Sequence, residues 1–523
     1  MKNFKVWFSV FFLFLMNVNF AQSGVLDLTF DTDGIVLTSF ENSNSQVQSV
    51  LILPDDRIVA GGTISKNGNS NFGLARYKDN GALDTSFGNA GKVLVDFPET
   101  MIMTSMVLQS DGKIIEGGSL INSDNTRSEF VLVRHNSDGT LDTSFGTNGR
   151  VVTTISAAFN KLTSLTLLKN GKILALGSTS DEFSFSNFAL AKYNTDGTLD
   201  ATFGEFGIKS LPLQTWNYGN TITTFNDKIL ISGKSSPGFN PVSGFDYDFA
   251  ILRLNSNGSY DPFFGNSGSV VVGYPDANEQ AMCLKVFPDG KILVAGEFKA
   301  HNYSLMMTSL SANGQINADF GLDGISLTPL PNQFLEAVQM QVDGKILATE
   351  YQPTGGCCSA DIKLIRLLDN GVYDASFGTN GIVTVNFLNE NNQANAITMQ
   401  PDGKIIIGGI SGNQINSDFA MARFDSKIEL SNSDFAFANR SFSVFPNPIN
   451  QSVTLDLKLV IPENLTVDLY DSFGRKISNL IQNTDFPAGN TMQKLELPES
   501  LSKGVYFLSI SNGKVISNLK IIK

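Results

Sequence analysis

Leu141-Asp142-Thr143-Ser144-Phe145-Gly146-Thr147-Asn148-Gly149 is one of seven versions of a single nine-residue phrase. The others are LDLTFDTDG from Leu26, LDTSFGNAG from Leu83, LDATFGEFG from Leu199, YDPFFGNSG from Tyr260, INADFGLDG from Ile316 and YDASFGTNG from Tyr373. Their second residues are Asp27, Asp84, Asp142, Asp200, Asp261, Asn317 and Asp374, at steps of 57, 58, 58, 61, 56 and 57 residues. A period this steady marks one supersecondary unit copied in tandem.

Working outward from the phrase, each copy is followed by a short alternating segment, such as Ile35 to Phe40 or Lys92 to Phe97. Two apolar runs then flank Asp-Gly-Lys-Ile or Asn-Gly-Lys-Ile, at Asp111, Asn170, Asp289, Asp343 and Asp402. Asp-Gly between apolar runs is a hairpin signal, because both turn residues take positive φ. A last run carries Phe-x-x-x-Arg, from Phe72 to Arg76, Phe130 to Arg134 and Phe419 to Arg423. The expectation is an all-β fold, a seven-bladed β-propeller of four-stranded blades over 22–425, with the phrase as the linker opening each new blade. A parallel β-helix has shorter coils and few hairpin turns.

The base ending the Phe-x-x-x-Arg run lies eight positions before the Asp of the next phrase, as in Arg76 and Asp84, Arg134 and Asp142, or Arg366 and Asp374. In the fifth unit both partners are absent together, leaving Ser309 and Asn317. Joint loss avoids stranding one charge in a partly buried corner. Asp27 has no upstream base and Arg423 no downstream acid, so these two are expected to pair and latch a ring.

Seventeen percent charged residues and 47 glycines suit strands and tight turns. A net charge of −13 argues against nucleic acid or anionic lipid as partner. Lys2 and Lys5 precede the apolar run Val6 to Met16 and the small residue Ala21, the order of a signal peptide over 1–21; nothing else is expected to span a membrane. Cys283, Cys357 and Cys358 make no disulfide framework, and the adjacent pair is open to two readings, free thiols or a vicinal disulfide.

Residues 426–442 read as a polar linker, and short strand patterns from 443 to 523 suggest a small C-terminal β-sandwich. VFPNP from Val444, VDLYDSFGRKI from Val467 and KGVYFLSISNGKVISNLKIIK from Lys503 resemble the type A C-terminal sorting domain of the type IX secretion system of Bacteroidetes. That resemblance implies the secretion machinery as a partner of 443–523, with export across both membranes and removal of the tail. The repeats resemble the delta-sixty type of β-propeller repeat, which implies a propeller and no particular activity.

Chemistry is sparse. Asn194 to Asp200 resembles the later half of a calcium loop, but Lys192 stands where such a loop opens with a carboxylate, so ion pairing is expected instead. His135 and His301 lie in different units without ligand spacing, and FGTNGR lacks the Lys-Ser/Thr of a phosphate loop. No catalytic residue, metal or cofactor is assigned. Asp246 and Asp248 fit either a glycosidase pair or ordinary loop solvation.

The loops opposite the uniform turns vary between units. Trp216, Tyr218, Phe239, Phe245 and Tyr247 in the fourth unit, with Phe183 and Phe185 in the third, are candidate contacts for a glycan or protein ligand. The expectation is a secreted or surface-attached binding or structural module. The alternative is a secreted hydrolase or lyase acting on polysaccharide.

Overall fold

A computed structural model describes residues 23–523 apart from 96, 181–184, 241–243, 276, 301, 331–333, 352–360, 388–390, 413–415, 427–439, 450–451, 460–461, 472–475, 488, 499–500 and 512–515. Strands, turns and bends make up all of it, with no helix among the described residues. The chain divides into two compact units, Met1–Ser426 and Lys427–Lys523.

In the larger unit the first sheet runs Asn44–Ile52, Ile58–Lys66, Asn69–Tyr77 and Lys92–Leu94, each strand antiparallel to the one before. Five more sheets repeat this order, with inner strands Thr100–Leu108, Asn160–Leu167, Trp216–Phe225, Asn278–Val286 and Phe334–Met340. A seventh begins at Asn391–Met399, continues through Ile405–Gly412 and Ser417–Asp425, and takes its outer strand from Ile35–Thr38.

This corrects the phase of the repeat. The nine-residue phrase lies inside a sheet, between its third and fourth strands, and the short strand after it pairs backwards. Leu94 faces Gly73, and Thr153 faces Phe130.

Second strands read as continuous apolar or small runs because neighbouring sheets cover both faces. Ile58, Val59 and Ala60 are fully buried, as are Leu174, Ala175 and Leu176. Every inner strand carries a bulge at the same level, at Gln48, Thr104, Thr163, Asn220, Met282, Glu336 and Asn395. The bulge presses an inner-strand carbonyl against the second strand. A Cβ on Gly62 would stand 1.9 Å from the Gln46 oxygen, and one on Gly177 1.9 Å from that of Lys161. Only glycine fits there, except in the sixth sheet, where Glu350 faces Leu335.

Bulge side chains also join sheets. Thr104 Oγ1 donates to Leu162 O at 3.0 Å, Thr163 Oγ1 to Gly219 O at 2.8 Å, and Asn220 Nδ2 to Ala281 O at 2.8 Å. Asn395 Nδ2 donates to Val47 O at 3.0 Å, the same bond made from the last sheet to the first.

The smaller unit has two antiparallel sheets. Arg440–Phe445, Ser452–Leu459 and Gly489–Glu496 form one; Lys476–Phe486, Glu463–Asp471, Val505–Ser511 and Ile516–Ile522 form the other in that spatial order. Alternate residues, including Leu455, Leu457, Val467, Leu469, Leu508 and Ile510, build one core. Arg440–Phe445 and Lys476–Phe486 are strands that the sequence pattern does not announce.

Candidate functional site

The two ends of each unit differ in kind. At the uniform end lie the Gly-Lys-Ile turns and the nine-residue phrases. Arg134 Nε meets Asp142 Oδ2 at 2.8 Å, Arg366 meets Asp374 at 2.8 Å, and Lys192 Nζ meets Asp200 at 3.2 Å. The same carboxylates receive the turn lysine, Lys113 at 2.8 Å on Asp142 and Lys172 at 2.9 Å on Asp200. Each arginine lies over the phrase's phenylalanine, with Arg134 Cζ 4.4 Å from the Phe145 ring centre and Arg366 Cζ 4.4 Å from that of Phe377. The outer amine of Arg134 reaches on to Thr195 O in the next unit.

Asp27 and Arg423 are brought together in the same way. Arg423 Nε lies 2.7 Å from Asp27 Oδ2, Lys404 Nζ lies 2.9 Å from the same oxygen, and Arg423 Cζ is 4.6 Å from the Phe30 ring centre. Burial works against the charge of Asp27. Hydrogen bonds from Thr29 and Lys404 and the charge of Arg423 outweigh it, and the carboxyl sits far below the usual range. Asp84, Asp142 and Asp200 are depressed for the same reasons.

An open cleft of about 960 Å³ lies at this end between the second and third units, beside Asp111, Lys113, Arg134, Asn170 and Asp196. Two of its three cationic residues, Lys113 and Arg134, already pair with Asp142, and the third is Lys169. Among the described residues no group of three or more His, Cys, Asp or Glu side chains is placed to hold a metal. His135 is buried against Glu116, Nε2 to Oε2 2.8 Å, at the place where Tyr77 and Tyr193 donate to Thr38 and Thr153. His301, Phe183, Cys357 and Cys358 lie outside the described residues. Cys283 is a buried free thiol.

At the other end the units diverge. Trp216 packs on Phe185 with ring centres 5.8 Å apart, and Tyr218 meets Tyr247 edge to face at 5.9 Å. Phe239 and Phe245 face each other across a two-residue hairpin ladder; their side chains lie outside the described atoms. Further aromatic contacts follow around the same end: Tyr274 with Phe298, Tyr303 with Phe334, and Phe334 stacked on Tyr351 at 5.3 Å. The sequence points to Phe183 and Phe185 of the third unit and to the loops of the fourth. The structure joins Trp216 to the third unit and continues the aromatic band through the fifth and sixth.

Charged residues missed in the sequence reading sit among these rings. In units one to three Ser or Thr on the second strand receives a backbone N–H from the next unit. Met103 N donates to Thr63 at 3.0 Å, Leu162 N to Ser119 at 3.3 Å, and Gly219 N to Ser178 at 3.1 Å. The equivalent residues of units four and five are Lys234 and Glu297, opposite Tyr218 and Gln280. Lys234 Nζ donates to Gln280 Oε1 at 3.1 Å and stands 5.4 Å and 4.7 Å from the ring centres of Tyr218 and Tyr247.

A second substitution is sharper. Asn160 and Asn217 are buried, and each donates through Nδ2 to a serine carbonyl of the preceding unit at 2.8 Å, Ser128 or Ser186. At the junction of units four and five the same places hold Glu279 and Tyr247, and Glu279 N donates to Tyr247 O at 2.6 Å. Glu279 is 1% exposed. Tyr274 N donates to its Oε1 at 3.3 Å, while its Oε2 and the Oδ1 of Asp246 have no hydrogen-bond partner among the described residues. Asp248 lies against Gly273, where any Cβ would meet its Oδ1 at 1.8 Å.

Burial, and then the neighbouring Asp246, push the Asp248 carboxyl up to about 6. Burial, reinforced by Asp248 and Asp246, pushes Glu279 up to about 8. Glu297 is also raised by burial, and Glu336 by burial and by Glu297, while burial lowers Lys234. Aligning the repeats column by column exposes Lys234, Glu279 and Glu297 as the charged members of columns that units one to three fill with uncharged residues.

Residues 53–87, 109–145, 168–203, 226–264, 288–305 and 400–426 match the family described as a domain of unknown function (DUF5122) beta-propeller. Residues 443–523 match the secretion system C-terminal sorting domain. No curated protein matches the chain. Among solved structures, Drosophila Semaphorin 2a is 10% identical with a TM-score of 0.43, covering 95% of this chain and 98% of its own. A polysaccharide lyase PL25 ulvan lyase is 9% identical with a TM-score of 0.43, covering 76% of this chain and 99% of its own. Pyrococcus horikoshii acylaminoacyl peptidase is 7% identical with a TM-score of 0.36, covering 79% of this chain, which spans 58% of that protein. Likenesses this loose carry no argument about activity.

Proposed function

For a chain that carries beta-propeller repeats and ends in a type IX secretion C-terminal sorting domain, we propose the role of an exported glycan-binding module. In this reading the seven sheets close as the blades of one propeller. The amino-terminal segment supplies the last outer strand, and Asp27 with Arg423 latches the seam. The two sheets of the tail are then a small sandwich read by the export machinery, and the mature protein ends up outside the cell or on its surface. The sorting-domain match supports export. No helix among the described residues is long and apolar enough to cross a membrane.

The observation that carries the binding role is the band from Phe185 and Trp216 through Tyr218 and Tyr247 to Phe334 and Tyr351. Flat rings beside hydrogen-bonding side chains suit the alternating apolar faces and hydroxyl edges of sugars. The test is a combined glycan and protein array probed with the exported protein. The reading expects glycan signals that fall on Trp216→Ala and Tyr218→Ala. Signals only from proteins, or glycan signals indifferent to both changes, would overturn it.

The polysaccharide hydrolase or lyase reading draws on one observation, that burial and neighbouring acids push the Asp248 carboxyl up to about 6 and the Glu279 carboxyl up to about 8. It expects new reducing ends or unsaturated products from the array's polysaccharides, lost on Glu279→Gln.

A further inference from the structure

Register places one set of residues at a single level around the inner wall. Lys161, Tyr218, Gln280 and Phe334 are the inner-strand members in units three to six, and Ser178, Lys234, Glu297 and Tyr351 face them on the second strands. Glu336, at the bulge of unit six, lies two positions beyond Phe334. Lys299 faces Tyr303 one strand further out, with Nζ 5.2 Å from its ring centre. Across units seven, one and two the same level holds Gln393 and Ile410, Gln46 and Thr63, and Ile102 and Ser119. Charge is therefore confined to the arc that also carries the aromatic band.

We propose that this arc takes an anionic polysaccharide, recognised through its acidic groups, and that it binds in mildly acidic surroundings and lets go in alkaline ones. The proposal rests on the glycan-binding reading above. Lys161, Lys234 and Lys299 are the cations of the arc. Lys234 is met by the rings of Tyr218 and Tyr247 from its own unit, by Gln280 and the charge of Glu297 from unit five, and by the charge of Lys161 from unit three. Asp246, Asp248 and Glu279 cluster beside Tyr247 at the junction, and Glu336 neighbours Glu297. Four of these carboxyls, Asp248, Glu279, Glu297 and Glu336, have raised pKa values. Protonated, they add no negative charge, and the half-buried Asp248, Glu297 and Glu336 each offer an O–H that can donate to a ligand carboxylate or sulfate. The three lysines then dominate, although the whole chain carries −13. As pH rises the donors become anions that repel an acidic ligand, and Lys234, whose pKa burial lowers, loses charge earlier than an ordinary lysine. Both changes act in the same direction.

The experiment titrates the exported protein with polygalacturonate, dextran sulfate and neutral dextran at about pH 5.5 and about pH 8.5, at one ionic strength. Both acidic polymers should bind at least about tenfold tighter at the lower pH, one factor of ten being about 1.4 kcal/mol. Binding of polygalacturonate alone would name carboxylates as the recognised group, and of dextran sulfate alone, sulfates. Lys234→Gln should weaken acid-pH binding about tenfold. Glu297→Gln combined with Glu336→Gln should preserve binding at the higher pH, and this variant serves if Lys234→Gln does not fold. Binding that ignores pH, or dextran bound as well as the acidic polymers, would overturn the proposal and leave the glycan-binding role standing. Failure of every glycan to bind would remove both.

Discussion

The corner around Asp142 and the junction around Glu279 are built from the same repeat, and they treat charge in opposite ways. Asp142 is buried at 6% exposure, yet Arg134, Lys113 and Ser144 all point at it, and it stays ionised far into acid. Glu279 is buried more deeply, receives one backbone N–H at 3.3 Å, and faces two other acids. A buried carboxyl surrounded by donors is settled, and one surrounded by carboxyls is held poised. The settled kind recurs around the repeat; the poised kind occurs where the aromatic band runs.

The fifth unit shows that the corner's backbone does not require its charges. Asn317 N donates to Ser309 O at 2.9 Å, as Asp142 N does to Arg134 O at 2.9 Å. The strongest way to break the comparison is therefore to remove one member of a corner and then both. Asp374→Ala should destabilise by about 3–5 kcal/mol, the cost of stranding the buried Arg366, and Arg423→Ala, which leaves Asp27 paired with Lys404, should cost less. Asp27→Asn with Arg423→Ser, copying unit five, should recover part of the loss. Denaturant unfolding measures both, and strict additivity of the two single changes would show that the seam pair does not couple. In Arg423→Ala, hydrogen exchange should quicken first in Ile35–Thr38 and Ser417–Asp425.

Titration sharpens the contrast next. The corner aspartates have depressed pKa values, so their contribution is full above the unfolded value of about 3.9 and is lost as pH falls below it. Asp248 and Glu279 have raised values, so their contribution is full below the unfolded range and lost as pH rises through about 6 and then about 8. Thermal melts across this range should show acid loss that Glu279→Gln leaves alone and alkaline loss that Glu279→Gln reduces, by about 1–3 kcal/mol for one buried unsatisfied group. An unchanged alkaline limb would show that Glu279 is not its source.

A smaller effect tests the ligand side. Tyr218→Ala should lower affinity for the glycan found on the array about tenfold, near 1.4 kcal/mol, without moving the acid limb of the melt. Smallest of all, a calcium chelator should leave Tm unmoved. Where a calcium loop would need a first carboxylate the corners carry Arg134, Lys192 or Arg253. A chelator-induced drop restored by calcium would contradict that.

Period and turn chemistry made the repeat legible, because Asp-Gly turns and the eight-residue Arg–Asp spacing are local. The phase of the sheets was not. Lys92–Leu94 is three residues long, and alternation over so short a run does not say which neighbour it joins. The second cation of each corner was hidden too. Lys113 belongs to a turn signal in sequence and reaches Asp142 only after the sheet folds 29 positions back on itself. Of the candidate ligand residues, Trp216, Tyr218 and Tyr247 announced themselves as aromatics on a variable loop. Glu279 and Lys234 lie within strands, where a single polar residue looks like an ordinary exposed face until the seven strands are superposed.

Time enters through the strand Ile35–Thr38. It is among the first parts of the sheet system to be synthesised, yet its partner Ser417–Asp425 is among the last, and the Asp27–Arg423 contact spans 396 positions. Closing so long a loop costs about 5 kcal/mol of chain entropy beyond the constant term, and no contact at the seam repays it until the seventh sheet exists. Six sheets can stack in order of emergence, each on the one before, while the first strand waits unpaired. The seam is then the last event of folding, and a chain cut short before Asp425 would keep an unpaired edge at each end of an otherwise ordered arc.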